Sequence, residues 1–440
     1  MIPSPAQFVA HLVAVGHRPA AVVGDWFGHG AVVAPDLVAR RTPLADAFPA
    51  GPEPTDGATA RDSARDSAQS STPWHFGWLP YCPPEVEPAA FAASTRDVVV
   101  FDDGRWSIPD GSGVDPEWLT AVLSDAAHAA HAAHAHDPAI EWDGGDRAAH
   151  ERGVLDCLAA IRAGDVYQAC VSTRFHGTVT APEPAPAPAA EPAAEPATPN
   201  PTVRAAAAWW ARRVVKHEPV RAAFLAGTDA DGRDVVVASL SPEEFLVRDG
   251  ATVRESPIKG TVPLSADPAE LAASRKDVAE NIMIVDLVRH DLGQVAVTGG
   301  VRATDLLAVR PAPGVWHLVS EVTAELPGGL PHADLIDACF PPASVTGTPK
   351  IRAAELLSEW EPVERGVHCG AIGASTGEML ELNVAIRTAE FRGPGSVLHD
   401  ANADTITVEV GVGGGITIDS DPDAEWAEIL AKAAPLIDPA

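Results

Sequence analysis

The chain has 440 residues, with 31 basic and 61 acidic side chains and a formal net charge of −30. This length supplies one large domain or two ordinary ones with a substantial core. The acidic excess argues against nucleic-acid binding and against attraction to an anionic membrane. No apolar run reaches the roughly 20 residues that a membrane-spanning helix needs. The first residues show neither a basic leader nor a cleavage site, so we expect a cytoplasmic protein.

Residues 1–150 contain short β-like runs, at 20–23 and 97–101, between polar, proline-rich or alanine-rich connections. From Glu151 the pattern becomes regular and predicts an amphipathic helix, a Gly-Asp turn and a strand. The tract 181–202 consists largely of Pro, Ala and Glu and cannot form a packed core. It therefore predicts a solvated insertion.

Beyond that tract the sequence predicts a helix at 203–217 and two or three strands at 234–255, with a turn at Asp249 and Gly250. Helices and strands then mix to the end, and antiparallel hairpins are more evident than βαβ repeats. The sequence therefore predicts an α+β fold. The five cysteines are scattered without a C-x-x-C pair, which indicates reduced thiols packed as small apolar side chains.

Two candidate catalytic side chains flank the predicted hairpin. Glu243 lies in S-P-E-E-F-L, and Lys259 lies in the extended, otherwise apolar segment P-I-K-G. Lysine is uncommon in such a setting, although a surface lysine beside a turn would give the same pattern.

The segment 273–295 predicts a helix with Glu280 immediately before its most apolar stretch. Its predicted core face carries four apolar residues: Val278, Ile282, Val285 and Leu292. Acidic side chains exposed to water are the alternative interpretation of this helix. His317 lies in an apolar strand, where a structural histidine is the alternative to a catalytic one.

Two further segments stand out, of which the first predicts an anion site and the second predicts close approach of a ligand. Thr346 belongs to a small polar loop before a helix that we expect Pro349 to start, and Lys350 stands beside that helix N-terminus. Capping alone explains the same loop residues. Arg387 lies in a predicted strand, and the glycines of 411–415 allow a backbone to approach a ligand. Neither G-x-G-x-x-G nor a P-loop is formed.

Eight motifs in one order resemble those of the chorismate-utilising enzymes. They are S-P-E-x-F-L, P-I-K-G-T, E-N-I-M-I-V-D-L, H-L-V-S, S-V-T-G-T-P-K, A-I-R-T, G-G-G-I and D-S-D-P-x-A-E. The resemblance implies a chorismate-binding enzyme fold, in which two antiparallel β-sheets pack face to face and are flanked by helices. It makes 1–150 the divergent N-terminal part and 151–437 the catalytic core of one intertwined domain, with 181–202 as a flexible insertion.

The family pattern implies a role for each matching residue. Glu280 and Glu428 would hold Mg²⁺, an ion suited to two carboxylates plus substrate and water oxygens. Lys259 would attack chorismate at C2 and expel the C4 hydroxyl, which Glu243 would protonate as general acid. The other matches would bind substrate carboxylates or line the pocket: Arg387, Lys432, Gly413, Gly414, Gly415, His317 and Thr346.

The P-I-K-G segment discriminates among the activities of the family. Anthranilate synthases have Ala where Lys259 stands, whereas aminodeoxychorismate synthases have Lys. The resemblance therefore implies amination of chorismate to 4-amino-4-deoxychorismate, for 4-aminobenzoate and folate synthesis. No G-x-C-x-G nucleophile elbow is present, so ammonia would come from a separate glutamine amidotransferase subunit.

Two alternatives stay open at this point. One is another activity of the same family, as anthranilate synthase component I or as an isochorismate or salicylate synthase. The other is a non-catalytic scaffold that binds chorismate. The chain also departs from the usual family residues at Cys170, His290 and Gln294, none of which is assigned to the chemistry.

Overall fold

The computed structural model describes residues 2–50, 72–84, 86, 88–132, 138–179, 200–312, 314–394 and 405–438. Most of the predicted insertion, 181–199, lies outside these residues. The last two residues of the insertion, Pro201 and Thr202, belong to a helix that begins at Pro201 and is capped by the Asn200 side chain. The helices are α1 (Pro5–Ala14), α2 (Leu44–Ala47), α3 (Pro116–Ala132), α4 (Arg147–Ala163), α5 (Pro201–His217), α6 (Ala269–Ala273), α7 (Arg275–Gly293), α8 (His332–Cys339), α9 (Lys350–Trp360) and α10 (Pro422–Ile437).

Backbone hydrogen bonds link 21 strands of the described residues into one continuous network. The strands are β1 (Ala20–Trp26), β2 (His29–Ala34), β3 (Val38–Thr42), β4 (Trp74–Leu79), β5 (Ala90–Thr95), β6 (Val99–Asp102), β7 (Arg105–Ser107), β8 (Ile140–Trp142), β9 (Gln168–Val179), β10 (Arg221–Thr228), β11 (Asp234–Ser239), β12 (Glu244–Asp249), β13 (Thr252–Glu255), β14 (Ile258–Pro263), β15 (Arg302–Ala312), β16 (Val315–Glu325), β17 (Gly347–Thr348), β18 (Ala371–Thr376), β19 (Met379–Val384), β20 (Thr388–Arg392) and β21 (Ile406–Ile416).

The network has two antiparallel branches. The first runs β7-β6-β2-β1-β10-β11-β20-β21-β9, and β8 and β17 pair with the other edge of β9. The second runs β15-β16-β13-β12-β19-β18-β4-β5-β3, and β14 also pairs with β16. The branches join where β3 pairs in parallel with β10. Strands from the first 150 residues therefore take part in both branches.

The two branches pack face to face. One buried cluster combines Trp26 and Val237 of the first branch with Trp78 and Ile372 of the second. Side chains alternate along each strand, so the other faces pack against helices. Helices α1, α5 and α10 cover the first branch, whereas α7 and α8 cover the second. The predicted α+β fold of two antiparallel sheets flanked by helices is confirmed.

The hairpin predicted at Asp249 and Gly250 joins β12 to β13, and Gly250 takes the left-handed φ of +59° that such a turn favours. Among the described helices, none combines the length and the apolar character that crossing a bilayer demands.

Candidate active site

Lys259 lies at a β-bulge in β14. Residues 258–261 of this strand oppose only three residues of β16, and Gly260 takes a left-handed φ of +79°. A Cβ at Gly260 would come within 3.0 Å of Asp277, so glycine suits both the turn and the close approach. The bulge directs the partly buried Lys259 towards Ser344, whose carbonyl oxygen accepts a hydrogen bond from Nζ at 2.9 Å.

Glu243 lies directly before β12 and interacts electrostatically with Lys259. Its side chain is buried, and its Oε1 atom has no hydrogen-bond partner among the described residues. Burial raises the pKa of the Glu243 carboxyl, while the Lys259 charge and a hydrogen bond with Ser344 act in the opposite direction. A carboxyl that resists ionisation in this way is suited to donating a proton.

Arg387 lies at a bend between β19 and β20, with a φ of +47°, so the prediction that it lies within a strand is wrong. Its side chain reaches solvent, yet the surrounding protein lowers its pKa, an effect that Glu243 opposes. It remains a cation because the ordinary pKa of arginine exceeds 12. His317 of β16 is buried, and its Nδ1 lies 2.8 Å from Thr261 Oγ1. Burial, followed by the charge of Arg387, lowers the pKa of His317 to about 4, so the imidazole is neutral at pH 7.

Three carboxylates surround two consecutive glycines of β21. A Cβ at Gly414 would lie 3.2 Å from Glu425 Oε2 and 3.9 Å from Glu428 Oε1. A Cβ at Gly415 would lie 3.6 Å from Glu280 Oε2. The structure therefore places Glu428 beside Gly414 and Glu280 beside the adjacent Gly415. It adds Glu425, the last residue of the motif D-S-D-P-x-A-E, which had no predicted role although a glutamate three residues before Glu428 shares its helix face.

The residues around these glycines fit a Mg²⁺ ion. Glu280 is buried, burial raises its pKa, and its Oε1 lacks a hydrogen-bond partner in the part of the chain that the structure describes. Burial alone would raise the pKa of Glu428, but the Lys432 ammonium 2.7 Å away outweighs it and the pKa is lowered. No group of three or more His, Cys, Asp or Glu side chains is arranged to hold a metal ion within the described ranges, so protein carboxylates alone do not complete a site. Mg²⁺ commonly uses one or two carboxylates and completes its shell with water and substrate oxygens.

Two backbone N–H groups of β21, those of Gly413 and Gly415, point away from the neighbouring strand β9. β20 pairs with β21 as far as Val410, whereas β9 pairs with it along residues 406–416. Gly413 stands opposite Ser172, but the Ser172 N–H donates to Glu361 and the Gly413 carbonyl accepts from Lys432 Nζ at 2.9 Å. Gly413 and Ser172 therefore exchange no backbone hydrogen bond with each other, and the Gly413 N–H points away from β9. The N–H of Gly415, two residues on, points the same way.

The polar loop before α9 contains Ser344, whose carbonyl oxygen accepts the hydrogen bond from Lys259, and Thr346. Thr346 is fully buried, and its hydroxyl donates to the Pro342 carbonyl at 3.0 Å. The prediction that Lys350 helps to hold an anion is wrong, because its Nζ is buried between Asp291 Oδ2 and the Cys339 carbonyl, each at 2.7 Å.

The buried face of α7 differs from the predicted one. Ile282 is 48% exposed and Val278 is only partly buried. The buried residues of the helix are Glu280, Asn281, Ile284, Val285, Val288, Asp291 and Leu292. The face is rotated because α7 turns Glu280 towards the glycines and Asn281 towards Ser320 of β16, which donates to it.

Lys276, on the first turn of α7, is a second residue that had no predicted role. Its Nζ lies 3.7 Å from Glu425 Oε1, and it also interacts with Glu280 and Glu428. Two of the departures from the family pattern lie away from these contacts, but a Cβ at Gly413 would lie 3.3 Å from Cys170 Sγ, so the third borders the glycines of β21. His290 is largely exposed, Gln294 donates to the Ala338 carbonyl, and the buried Cys170 is a free thiol.

Comparison with known proteins identifies related chains. The family model described as chorismate binding enzyme matches residues 84–438. Aminodeoxychorismate synthase component 1 of Escherichia coli is 36% identical over 280 residues, which are 62% of this chain and 53% of that protein. Anthranilate synthase component 1 of Streptomyces coelicolor is 39% identical over 214 residues, 47% of this chain and 39% of that protein. The chain thus spans about half the length of the curated relatives it matches.

Solved structures agree on the fold. The menaquinone-specific isochorismate synthase MenF of Escherichia coli superimposes with a TM-score of 0.67 at 17% identity, over 97% of this chain and 90% of that chain. At this identity the likeness establishes the architecture and leaves the reaction to the residues of the site.

Proposed function

The chain belongs to the family of chorismate binding enzymes, and from that premise we propose that it aminates chorismate to 4-amino-4-deoxychorismate. The observation that carries this proposal is Lys259, which lies at the bulge of β14, donates to the Ser344 carbonyl and interacts with Glu243. Relatives named aminodeoxychorismate synthase component 1 support the same activity.

In the proposed reaction the neutral amine of Lys259 attacks C2 of the ring. Both ring double bonds shift, the bond from C4 to its hydroxyl breaks, and Glu243 gives its proton to the departing oxygen, which leaves as water. Ammonia then adds at C4, both double bonds shift back, the bond from C2 to the Lys259 nitrogen breaks, and Glu243 takes up the proton that the new ammonium group loses. The Ser344 carbonyl, 2.9 Å from Nζ, would orient the amine before the attack.

Substrate binding in this proposal depends on positive groups inside an acidic protein. Glu280 and Glu428 would hold Mg²⁺, which supplies positive charge for a ring carboxylate. Arg387, Lys432 and the outward N–H groups of Gly413 and Gly415 would bind carboxylate oxygens. His317 and Thr346 would line the pocket, where a neutral imidazole can donate or accept without adding charge.

Ammonia would come from a glutamine amidotransferase subunit. Relatives named component 1 support a second component, and the chain lacks the G-x-C-x-G nucleophile elbow. Free ammonium should replace this partner in a test of the aminating step alone.

The test mixes purified protein, chorismate, Mg²⁺ and ammonium, and then adds an aminodeoxychorismate lyase. We expect 4-aminobenzoate. Direct formation of anthranilate or isochorismate would instead assign another activity of the family, which the similarity to anthranilate synthase component 1 makes the second candidate. Unconsumed chorismate would favour the scaffold.

Replacement of Lys259 by Ala should reduce 4-aminobenzoate formation by a factor of at least about 10³, since the covalent step is lost. Arg310→Ala is the control, because Arg310 forms an ion pair with Asp305 in which both side chains are 45% exposed. The Arg310 variant should keep full activity. Unchanged output from Lys259→Ala would remove the lysine from the mechanism.

A further inference from the structure

Lys276 lies one helical turn before Glu280, on the same side of α7. Its Nζ is 3.7 Å from Glu425 Oε1, a longer separation than the 2.7 Å between Lys432 and Glu428. The Lys276 side chain is 45% exposed, whereas Glu425 is 5% exposed. A long side chain at such a boundary can keep its charge beside the carboxylates or extend it into water at small cost.

The charges around Gly414 and Gly415 indicate an electrostatic role for Lys276. Glu425 and Glu428 lie beside Gly414, Glu280 lies beside Gly415, and the negative charge of Glu425 acts on Glu280. Lys432 is engaged by Glu428 and the Gly413 carbonyl, and Lys259 is engaged by the Ser344 carbonyl. Lys276 is therefore the cation nearest to Glu425, and it also acts on Glu280.

We propose that Lys276 is the counter-cation of Glu280, Glu425 and Glu428 until a divalent cation binds. Its charge thereby weakens the binding of that cation. The inference rests on the proposed function, in which Glu280 and Glu428 hold the ion. The ammonium and the ion compete for the same negative charge, so the ion must displace Lys276 towards solvent. A neutral side chain at this position removes that competitor.

The test measures Mn²⁺ binding without chorismate, from the electron paramagnetic resonance signal of the free ion. Lys276→Met, which keeps length but not charge, should bind Mn²⁺ about fivefold more tightly or better. Lys276→Arg should stay within about twofold of the wild type, since it keeps the charge. Arg275→Met is the matched control, because it removes the same charge from the neighbouring exposed position, and it should also stay within about twofold.

Two outcomes would overturn the proposal. Equal or weaker Mn²⁺ binding by Lys276→Met would mean that the lysine does not compete with the ion. An equal gain in Arg275→Met would mean that any nearby charge matters and that Lys276 has no special place. Loss of Mn²⁺ binding in Glu280→Gln tests the ion site separately. If the wild type and Glu280→Gln bind Mn²⁺ alike, the metal site of the proposed function fails, and this inference fails with it.

Discussion

Glu243 stands beside a lysine and yet resists ionisation. The two residues interact, but burial of the carboxyl outweighs the stabilising charge, and one carboxyl oxygen lacks a partner among the described residues. Both facts have one cause, the exclusion of water from the space between β12 and the loop that holds Ser344. The raised pKa favours the protonated form of Glu243, which suits its proposed role as general acid, and ionisation of the buried carboxyl costs stability.

Replacement of Glu243 by Gln should therefore raise the Tm, by an amount that grows with pH. The pKa of Glu243 is raised in the folded state. Its contribution to stability is thus fully present below the unfolded pKa of about 4.3 and is lost as pH rises through the folded value. Thermal melts between pH 5 and 8 should show a variant advantage that grows by about 1–3 °C.

The same Glu243→Gln variant should lose activity by a factor of about 10²–10⁴, as expected for a missing general acid. Glu355→Gln is the control for the melts, since its side chain is 52% exposed in an ion pair with Arg352. A Tm difference that stays constant with pH would show that Glu243 is ionised throughout the range.

At the scale of elements, β21 shows how one strand serves both packing and the site. A Cβ at Gly411 would lie 2.2 Å from Cγ of His368, inside the core. At Gly415 the nearest atom would be Glu280 Oε2 at 3.6 Å, an ordinary contact. Glycine is required at position 411 because the neighbouring His368 leaves no room for a Cβ, whereas Gly415 leaves space for a ligand.

Alanine substitutions should separate these two roles. Gly411→Ala should destabilise the fold by about 1–3 kcal/mol, because a well-packed core must move. Gly415→Ala should leave the free energy of unfolding within about 0.5 kcal/mol and reduce activity about tenfold or more, because its methyl group occupies the ligand space. Urea unfolding and the coupled assay measure the two effects. Full activity of Gly415→Ala would place the substrate elsewhere.

A buried ion pair between Lys350 and Asp291 links the start of α9 to helix α7. Lys350→Met leaves Asp291 buried without its partner, so it should cost about 3–5 kcal/mol. Arg289→Met is the control on the same helix, because Arg289 and Asp286 are 52% and 79% exposed, and it should cost less than about 1 kcal/mol. Denaturant unfolding compares them. Equal costs would mean that the buried pair is not important for stability.

At the scale of the whole molecule, Arg221 joins the two branches of strands. It lies at the start of β10 in the first branch, over the Trp26 ring at 4.6 Å. Its guanidinium contacts Glu244 at 2.9 Å and Glu381 at 2.8 Å, both in the second branch. The side chain is 3% exposed, so this polar contact lies within the interface between the branches.

Arg221→Met should therefore destabilise the protein by about 3–5 kcal/mol, since two carboxylates lose their shared cation. Burial already raises the pKa of Glu381, against the charge of Arg221. The loss should consequently be larger at pH 8 than at pH 5, where a carboxyl without its partner can take up a proton. Guanidinium unfolding at the two pH values measures this difference. A pH-independent loss would indicate that only packing is affected.

The sequence alone determined the local elements and the order of the functional motifs. The Asp249-Gly250 turn, the helix from Arg275 and the glycine strand follow from periodicity, capping and backbone freedom, which act over a few residues. The motif order was also sufficient to indicate the family and its fold.

Tertiary structure decided which side chains meet. Glu280 on α7 is distant in sequence from Glu425 on α10 and from the glycines of β21, and only packing brings it to them. Packing also rotated the buried face of α7, placed Arg387 at a bend and engaged Lys350 with Asp291. Sequence periodicity shows that a helix has a buried side. The neighbours that cover it determine which polar groups are buried there and which charges they find, because burial and charge pairing depend on residues far away in the chain.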